Sequence, residues 1–228
     1  MSTMDSKPSH VKRKRPYESA RRREQARQTQ EAILDTAREL FLSHGFASTT
    51  VAAIAEGARV SVDTIYKTFG GKAGLVRAIC EQALAGEQPV PAEARSDALQ
   101  AAEGDPRKII GGWGVLTTEI APRVAPILLL LRAGASVDPE MTSLHSEMNG
   151  QRLKRMTHNA RNLAEAGHLR TGLTAEHAGE ILWTYSSPEL YELLVLARGW
   201  PLERYGAFIA DAMIAALLPE RSARRPVT

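Results

Sequence analysis

Apolar residues recur along this chain at helical spacing almost throughout. Within residues 28–44, Ile33, Ala37, Leu40 and Phe41 fall at i, i+4, i+7 and i+8, one face of a 3.6-residue helix. Gly45 predicts its end, with Phe46 placed to touch Phe41 as the hydrophobic pair of a Schellman cap. A short second helix, capped by Thr49 or Thr50, carries Val51, Ile54, Ala55 and Ala58 on one side. Ser61 caps a third, with Val60, Ile65 and Phe69 facing inward, and Gly70 and Gly71 end it. A fourth carries Lys72, Leu75, Val76, Ile79 and Cys80 toward Ala85.

Residues 86–91, with two prolines and a glycine, read as a hinge. Beyond them the periodicity predicts helices at 92–103, 106–120, 123–134, 139–166, 174–186, 188–198 and 201–218. Gly167 and Gly199 fall at C′ sites, Thr174 and Ser187 at N-caps, and Pro188 and Pro201 in first turns. Neither a β-hairpin signal nor a repeat of 20–50 residues interrupts this pattern. The expected fold class is all-α, with a three-helix unit and its following helix at 25–85 and a larger helical domain at 92–219.

Composition agrees: 43% of the 228 residues are hydrophobic but only twelve are aromatic, a mixture that favours packed helices over a β-sandwich. The single cysteine, Cys80, excludes an internal disulfide framework and a Cys-based structural zinc site, and fits a reducing compartment. The apolar run at 124–131 is far short of the roughly 20 residues that cross a bilayer, and no secretory signal is visible. The expected location is the cytoplasm, away from membranes.

Charge is unevenly placed. Residues 1–30 carry nine Lys and Arg against three acids, a local +6 within a chain of net +3. Residues 1–24 therefore read as a basic, disordered arm, either a solubilising tail or a polyanion contact that acts by counterion release. Residues 220–228 read as a disordered tail.

Functional chemistry concentrates between Thr49 and Lys72. A short helix, a tight turn and a second short helix form a helix-turn-helix. Since Val60, Ile65 and Phe69 face inward, Val62, Asp63, Tyr66 and Lys67 face elsewhere, with Ser61 and Thr64 near the exposed front. Such a helix fits a major groove about 12 Å wide. Ser61 offers a hydroxyl at a positive helix end, Thr50 a second hydroxyl, Tyr66 a phenol, and Lys67 and Lys72 point charges. These groups mostly position a protein on DNA rather than specify sequence.

Gly45-Phe46, Thr49-Thr50-Val51, Ile54-Ala55, Val60-Ser61, Thr64-Ile65-Tyr66, Phe69 and Lys72 together resemble the N-terminal domain of TetR-type transcriptional regulators. Ser187-Pro188-Glu189-Leu190-Tyr191, Arg198-Gly199-Trp200 and Glu203-Arg204-Tyr205 are similar to C-terminal regions of some members. The resemblance implies a homodimer that binds double-stranded DNA through two recognition helices, with a C-terminal core that binds a small-molecule effector. It carries DNA contact to Thr50, Ser61, Thr64, Tyr66, Lys67 and Lys72. Three departures stand out. Arg59 occupies a turn position where glycine is common; if it takes that conformation it does so at some strain, so either the turn differs or Arg59 compensates by touching phosphate. Ala73 and Gly74 weaken the start of the fourth helix. Val62 and Asp63 alter the reading face, Asp63 being able to accept from cytosine N4.

In the final helix Tyr205, Phe208, Ile209, Ala212, Met213, Ala216 and Leu217 form one wide apolar stripe. With Leu190 and Leu194 before it, this stripe serves either as core or as half of an intermolecular four-helix bundle. Glycines 111, 112 and 114 around Trp113 are expected to leave space. Trp113, Leu116, Ile120, Leu128, Leu131, Met148, Trp183 and Tyr185 are the candidate lining of a mostly apolar pocket. Pro122 and Pro126 are expected to bend the chain. Arg152, Lys154 and Arg155 read as a solvated basic face. No metal-binding spacing of His or Cys, nucleophile elbow or phosphate-binding loop is present, so no cofactor, metal or catalytic residue is expected.

The function expected is a dimeric, sequence-specific DNA-binding regulator, a repressor released by a small, largely apolar ligand. Two alternatives stay open: a regulator without an effector, and a helical enzyme or binding protein with an accidental helix-turn-helix.

Overall fold

The computed structural model describes residues 15–86 and 90–220, with side chains from Ala20 onward. Helix α1 (Arg15–Ser48) breaks at Gly45, whose φ of 79° favours glycine. Phe41 and Phe46 stack across the corner with ring centroids 5.7 Å apart. The buried hydroxyl of Thr49 closes it, 2.8 Å from the Gly45 carbonyl oxygen and 3.1 Å from that of Leu40.

Helix α1 also begins earlier than the apolar pattern predicts, since residues 15–24, assigned to the arm, are helical. That stretch is rich in Arg and Glu, good helix formers, and just beyond it Arg27 pairs with Glu24 at 2.7 Å and with Glu31. The rest of the expected arm (1–14), residues 87–89 of the hinge and residues 221–228 of the tail lie outside the described residues.

Helices α2 (Val51–Gly57), α3 (Val62–Phe69) and α4 (Lys72–Ala85) complete the N-terminal unit. The body contains α5 (Ala92–Ala102), α6 (Pro106–Ala135), α7 (Pro139–Glu165), α8 (Ala175–Tyr185), α9 (Pro188–Tyr191) and α10 (Leu202–Leu217). The fold is all-α, without a strand among the described residues.

Two predicted boundaries differ. The stretches at 106–120 and 123–134 are one helix, α6, which runs through Pro122 and Pro126. Each proline removes a helical N–H and ordinarily kinks or ends a helix. Packing against α1, α4, α5, α7, α9 and α10 holds this one together. By length and composition α6 is apolar enough to cross a bilayer, and here those apolar residues serve a central helix. The stretch at 188–198 divides instead into α9 and a π-helical turn, Glu192–Leu196, where the Ala197 N–H donates to the Glu192 carbonyl at 2.9 Å.

Burial is organised in two clusters. One joins α1–α4 to the body: Ile33, Phe41, Ile54, Ile65 and Leu75 pack with Ile127 and Leu131 of α6 and with Met141 and Leu144 of α7. The other lies within the body, around Ile110, Trp113, Leu163, Leu182, Tyr205 and Ile209.

The Trp113 glycines act mainly as contact points rather than spacers. A Cβ on Gly114 would lie 2.6 Å from the Gly206 carbonyl oxygen, and one on Gly206 would lie 2.6 Å from that of Gly114, so α6 and α10 cross with their backbones touching. A Cβ on Gly112 would meet Leu99 at 2.3 Å, and only Gly111 faces open space. Gly114→Ala is therefore expected to destabilise the protein by about 1–3 kcal/mol through overpacking. Gly111→Ala should stabilise it by up to about 1 kcal/mol through helix propensity. Thermal melts of the two variants should shift in opposite directions.

Candidate nucleic-acid interface

The turn between α2 and α3 is built around Arg59. The Val60 N–H donates to the Ala55 carbonyl at 2.9 Å and the Arg59 N–H to that of Glu56 at 3.1 Å, the pair of bonds that defines a Schellman motif. Its C′ position is left-handed, and Arg59 occupies it with a φ of 56°. A side chain there costs about 1–2 kcal/mol relative to glycine. The expected strain is present, and the Arg59 side chain is exposed.

Ser61 caps α3 as expected, its hydroxyl accepting from the Thr64 N–H at 3.1 Å and lying 2.8 Å from the Thr64 hydroxyl. Thr50 caps α2, accepting from the Ala53 N–H at 3.1 Å. Ile65 is fully buried and anchors the helix. Val62, Asp63, Tyr66 and Lys67 all face outward, with Tyr66 53% exposed. Thr68 is exposed beside them, a position that the sequence pattern gave no reason to single out. Arg22, Gln25 and Thr29 of the extended α1 share a hollow with Thr64 and Thr68, so the basic start of α1 borders the same face.

Lys72 is more constrained than a free point charge. Its Nζ donates to the Phe46 carbonyl and sits 4.1 Å from the centre of the Phe46 ring, and partial burial lowers its pKa. This lysine ties the start of α4 to the α1 corner. Gly74, which sequence reasoning treats as a weakness, is required here: a Cβ would lie 1.7 Å from the Phe69 carbonyl oxygen. Only glycine lets α4 start against the end of α3.

A second feature lies in the body. A cavity of about 470 Å³ opens between α4, α5, α6, α7, α8 and α10, a volume typical of small-molecule sites. Trp113, Leu116, Ile120, Leu128 and Met148 line it as expected. Leu131, Trp183 and Tyr185 do not. Leu131 is turned into the cluster shared with α1–α4, Tyr185 packs in the body core, and α8 presents Leu182 to the cavity instead. Cys80 also lines the cavity, and burial pushes its thiol up to about 12.

The basic cluster on α7 is not simply a solvated face. Arg155 reaches Asp97 at 2.6 Å. Arg152 lines the cavity, stacks over Trp183 at 4.7 Å, and donates to the Trp183 carbonyl, the Ser186 hydroxyl at 3.0 Å and Asn149 Oδ1 at 3.2 Å. Burial pulls its guanidinium down to about 10. The signal was available in sequence, because Met148, Arg152, Arg155 and Asn159 recur at helical spacing. Among the described residues, no group of three His, Cys, Asp or Glu is placed to hold a metal.

The stripe on α10 divides. Tyr205, Ile209 and Met213 are buried within the protomer, because their side of the helix faces α6 and α8. Leu190 and Leu194 pack partly against the same core. Ala212 and Ala216 are half-buried. Phe208 is 40% exposed with Trp200 edge-on against it at 5.6 Å, and Leu193 and Leu196 of the π turn are 58% and 56% exposed.

Known proteins resemble this chain in sequence and fold. Residues 33–79 match the family described as bacterial regulatory proteins, tetR family. The HTH-type transcriptional regulator YvkB of Bacillus subtilis is 32% identical over 154 residues, spanning 67% of this chain and 76% of that protein. NalD, the secondary repressor of the MexAB-OprM multidrug efflux pump in Pseudomonas aeruginosa, has the same fold, with a TM-score of 0.68, 22% identity, and coverage of 86% of this chain and 98% of that one. So does SmeT of Stenotrophomonas maltophilia in its triclosan complex, with a TM-score of 0.66, 20% identity, and coverage of 88% and 99%. On its helix-turn-helix and its likeness to YvkB, the chain belongs to the TetR family of bacterial transcriptional regulators.

Proposed function

We propose that this protein is a cytoplasmic, homodimeric repressor that α3 docks in the major groove, and that it leaves its operator when a small molecule fills the body cavity. The observation that carries this reading is the α3 surface. Ile65 fixes the helix from beneath, while Ser61, Asp63, Tyr66, Lys67 and Thr68 stay exposed on it. In this arrangement Ser61, Thr50 and Tyr66 hydrogen-bond backbone phosphates, Lys67, Arg59 and the N–H groups of Lys72 not directed at Phe46 supply charge, and Val62, Asp63 and Thr64 meet base edges.

The exposed apolar face of Phe208, Leu193 and Leu196 pairs with the same face of a second copy. Such a two-fold arrangement sets the two reading helices one turn of DNA apart, about 34 Å. The cavity is coupled to the reading helix through α4, whose Cys80 and Leu84 line its wall and whose first residue is Lys72. A ligand that favours one α4 position over another shifts head spacing, and a coupling of about 1–3 kcal/mol weakens DNA binding roughly 5- to 150-fold.

The direct test is a gel shift at stated salt on the DNA upstream of the protein's own coding region. Retardation of that fragment over random duplex supports the reading, and indifference to all duplexes refutes it. Tyr66→Ala should abolish the specific shift without altering the thermal melt, and wild-type binding would remove Tyr66 from the interface. Arg59→Gly separates strain from contact: it should raise Tm while lowering affinity for every duplex. A raised Tm with unchanged affinity would leave Arg59 no role on DNA. Phe208→Glu should convert dimer to monomer in sedimentation experiments, and an unchanged mass would place the interface elsewhere.

A further inference from the structure

The cavity is lined mainly by apolar carbon, yet its polar groups are unbalanced in a consistent direction. Four charged residues line it: Glu81, Glu93, Arg152 and Arg155. The two glutamates are exposed and belong to its rim, and Arg155 is neutralised by Asp97. Arg152 has no carboxylate within salt-bridge distance among the described residues. The nearby Glu189 is held by Arg132 at 2.8 Å, and the oxygens that receive Arg152 are all uncharged.

Donors without acceptors point the same way. Arg152 Nε and Trp113 Nε1 are buried with no hydrogen-bond partner, as is the hydroxyl of Ser96, and all three residues line this cavity. Native proteins leave few buried polar groups unpaired. Two of these three can only donate. An acceptor-rich, negatively charged group satisfies them, whereas a cation cannot.

Resting on the reading that this cavity is the effector site, we propose that its ligand is an amphipathic organic anion. Its carboxylate is bound by Arg152, with Trp113 and Ser96 as supporting donors, and its apolar portion lies against Leu116, Ile120 and Leu128. Burial already depresses the Arg152 pKa, so an incoming anion restores to that guanidinium the compensation it lacks. A carboxylate is the natural match, because the guanidinium offers a planar fork of donors.

Three probes with one skeleton test this: 4-phenylbutyrate, 4-phenylbutanol and 4-phenylbutylamine, titrated calorimetrically into the full-length protein at pH 7.5. The carboxylate should bind at least tenfold more tightly than the alcohol, and the amine most weakly. Arg152→Met should erase the preference for the carboxylate while retaining affinity for the alcohol. Should that variant fold poorly, Trp113→Phe removes one donor and is expected to weaken only the carboxylate, by a few-fold. If the alcohol or the amine matches the carboxylate in the wild-type protein, the anion assignment fails while the effector cavity stands. If none of the three binds, the effector cavity falls and the assignment with it.

Discussion

One apolar seam governs this protein. Phe41, Ile54 and Ile65 share a cluster with Ile127 and Leu131 of α6 and Met141 and Leu144 of α7, so the helix-turn-helix unit is completed by the body. Fully burying each such side chain stabilises the fold by about 1.5–3 kcal/mol. The Arg77–Glu147 pair crosses the same boundary, but both side chains are about two-fifths exposed, and such pairs contribute about 0–1 kcal/mol. Apolar packing, far more than charge, therefore sets how the reading helix is carried. Any movement of the head requires α6, α7 or α4 to move with it, and these helices also form walls of the cavity.

Local rules are broken at the two places proposed to meet other molecules. Arg59 holds a left-handed turn that glycine would hold more cheaply, beside the α3 surface. Arg152, Trp113 and Ser96 leave buried donors unpaired in the cavity wall, each at about 1–3 kcal/mol. Most helix ends, by contrast, follow local preference. Thr50, Ser61, Asp105, Asp138 and Thr174 cap their helices with side-chain bonds, and Gly167 and Gly199 end theirs with positive φ. Departures from local preference persist only where the surrounding structure enforces them.

Close backbone contact is a second theme. Gly114 with Gly206 brings α6 onto α10, and Gly74 brings the start of α4 under the end of α3. Both contacts place elements that matter for function: the first positions the wall that contains Trp113, and the second positions Lys72 against the α1 corner.

Most of the helix-turn-helix was legible in the amino-acid order alone. Caps, positive-φ glycines and 3.6-residue periodicity act within a few residues, so Thr50, Ser61, Gly70 and the outward set on α3 follow from local chemistry. What depends on distant parts of the chain was not. Periodicity marks Tyr205, Ile209 and Met213 as apolar but does not say whether the neighbour is α6 or a second molecule. It marks Pro122 as a break without showing the six helices packed along α6. The pattern makes Gly74 look like a weak point and Gly114 like a spacer, although another backbone fills the space beside each. Arg152 carries the same charge in either view, but only the folding of α7 against α8 removes it from water. Local backbone preference determined the elements and their ends, and the burial of one element by another decided which residues became core, cavity or surface.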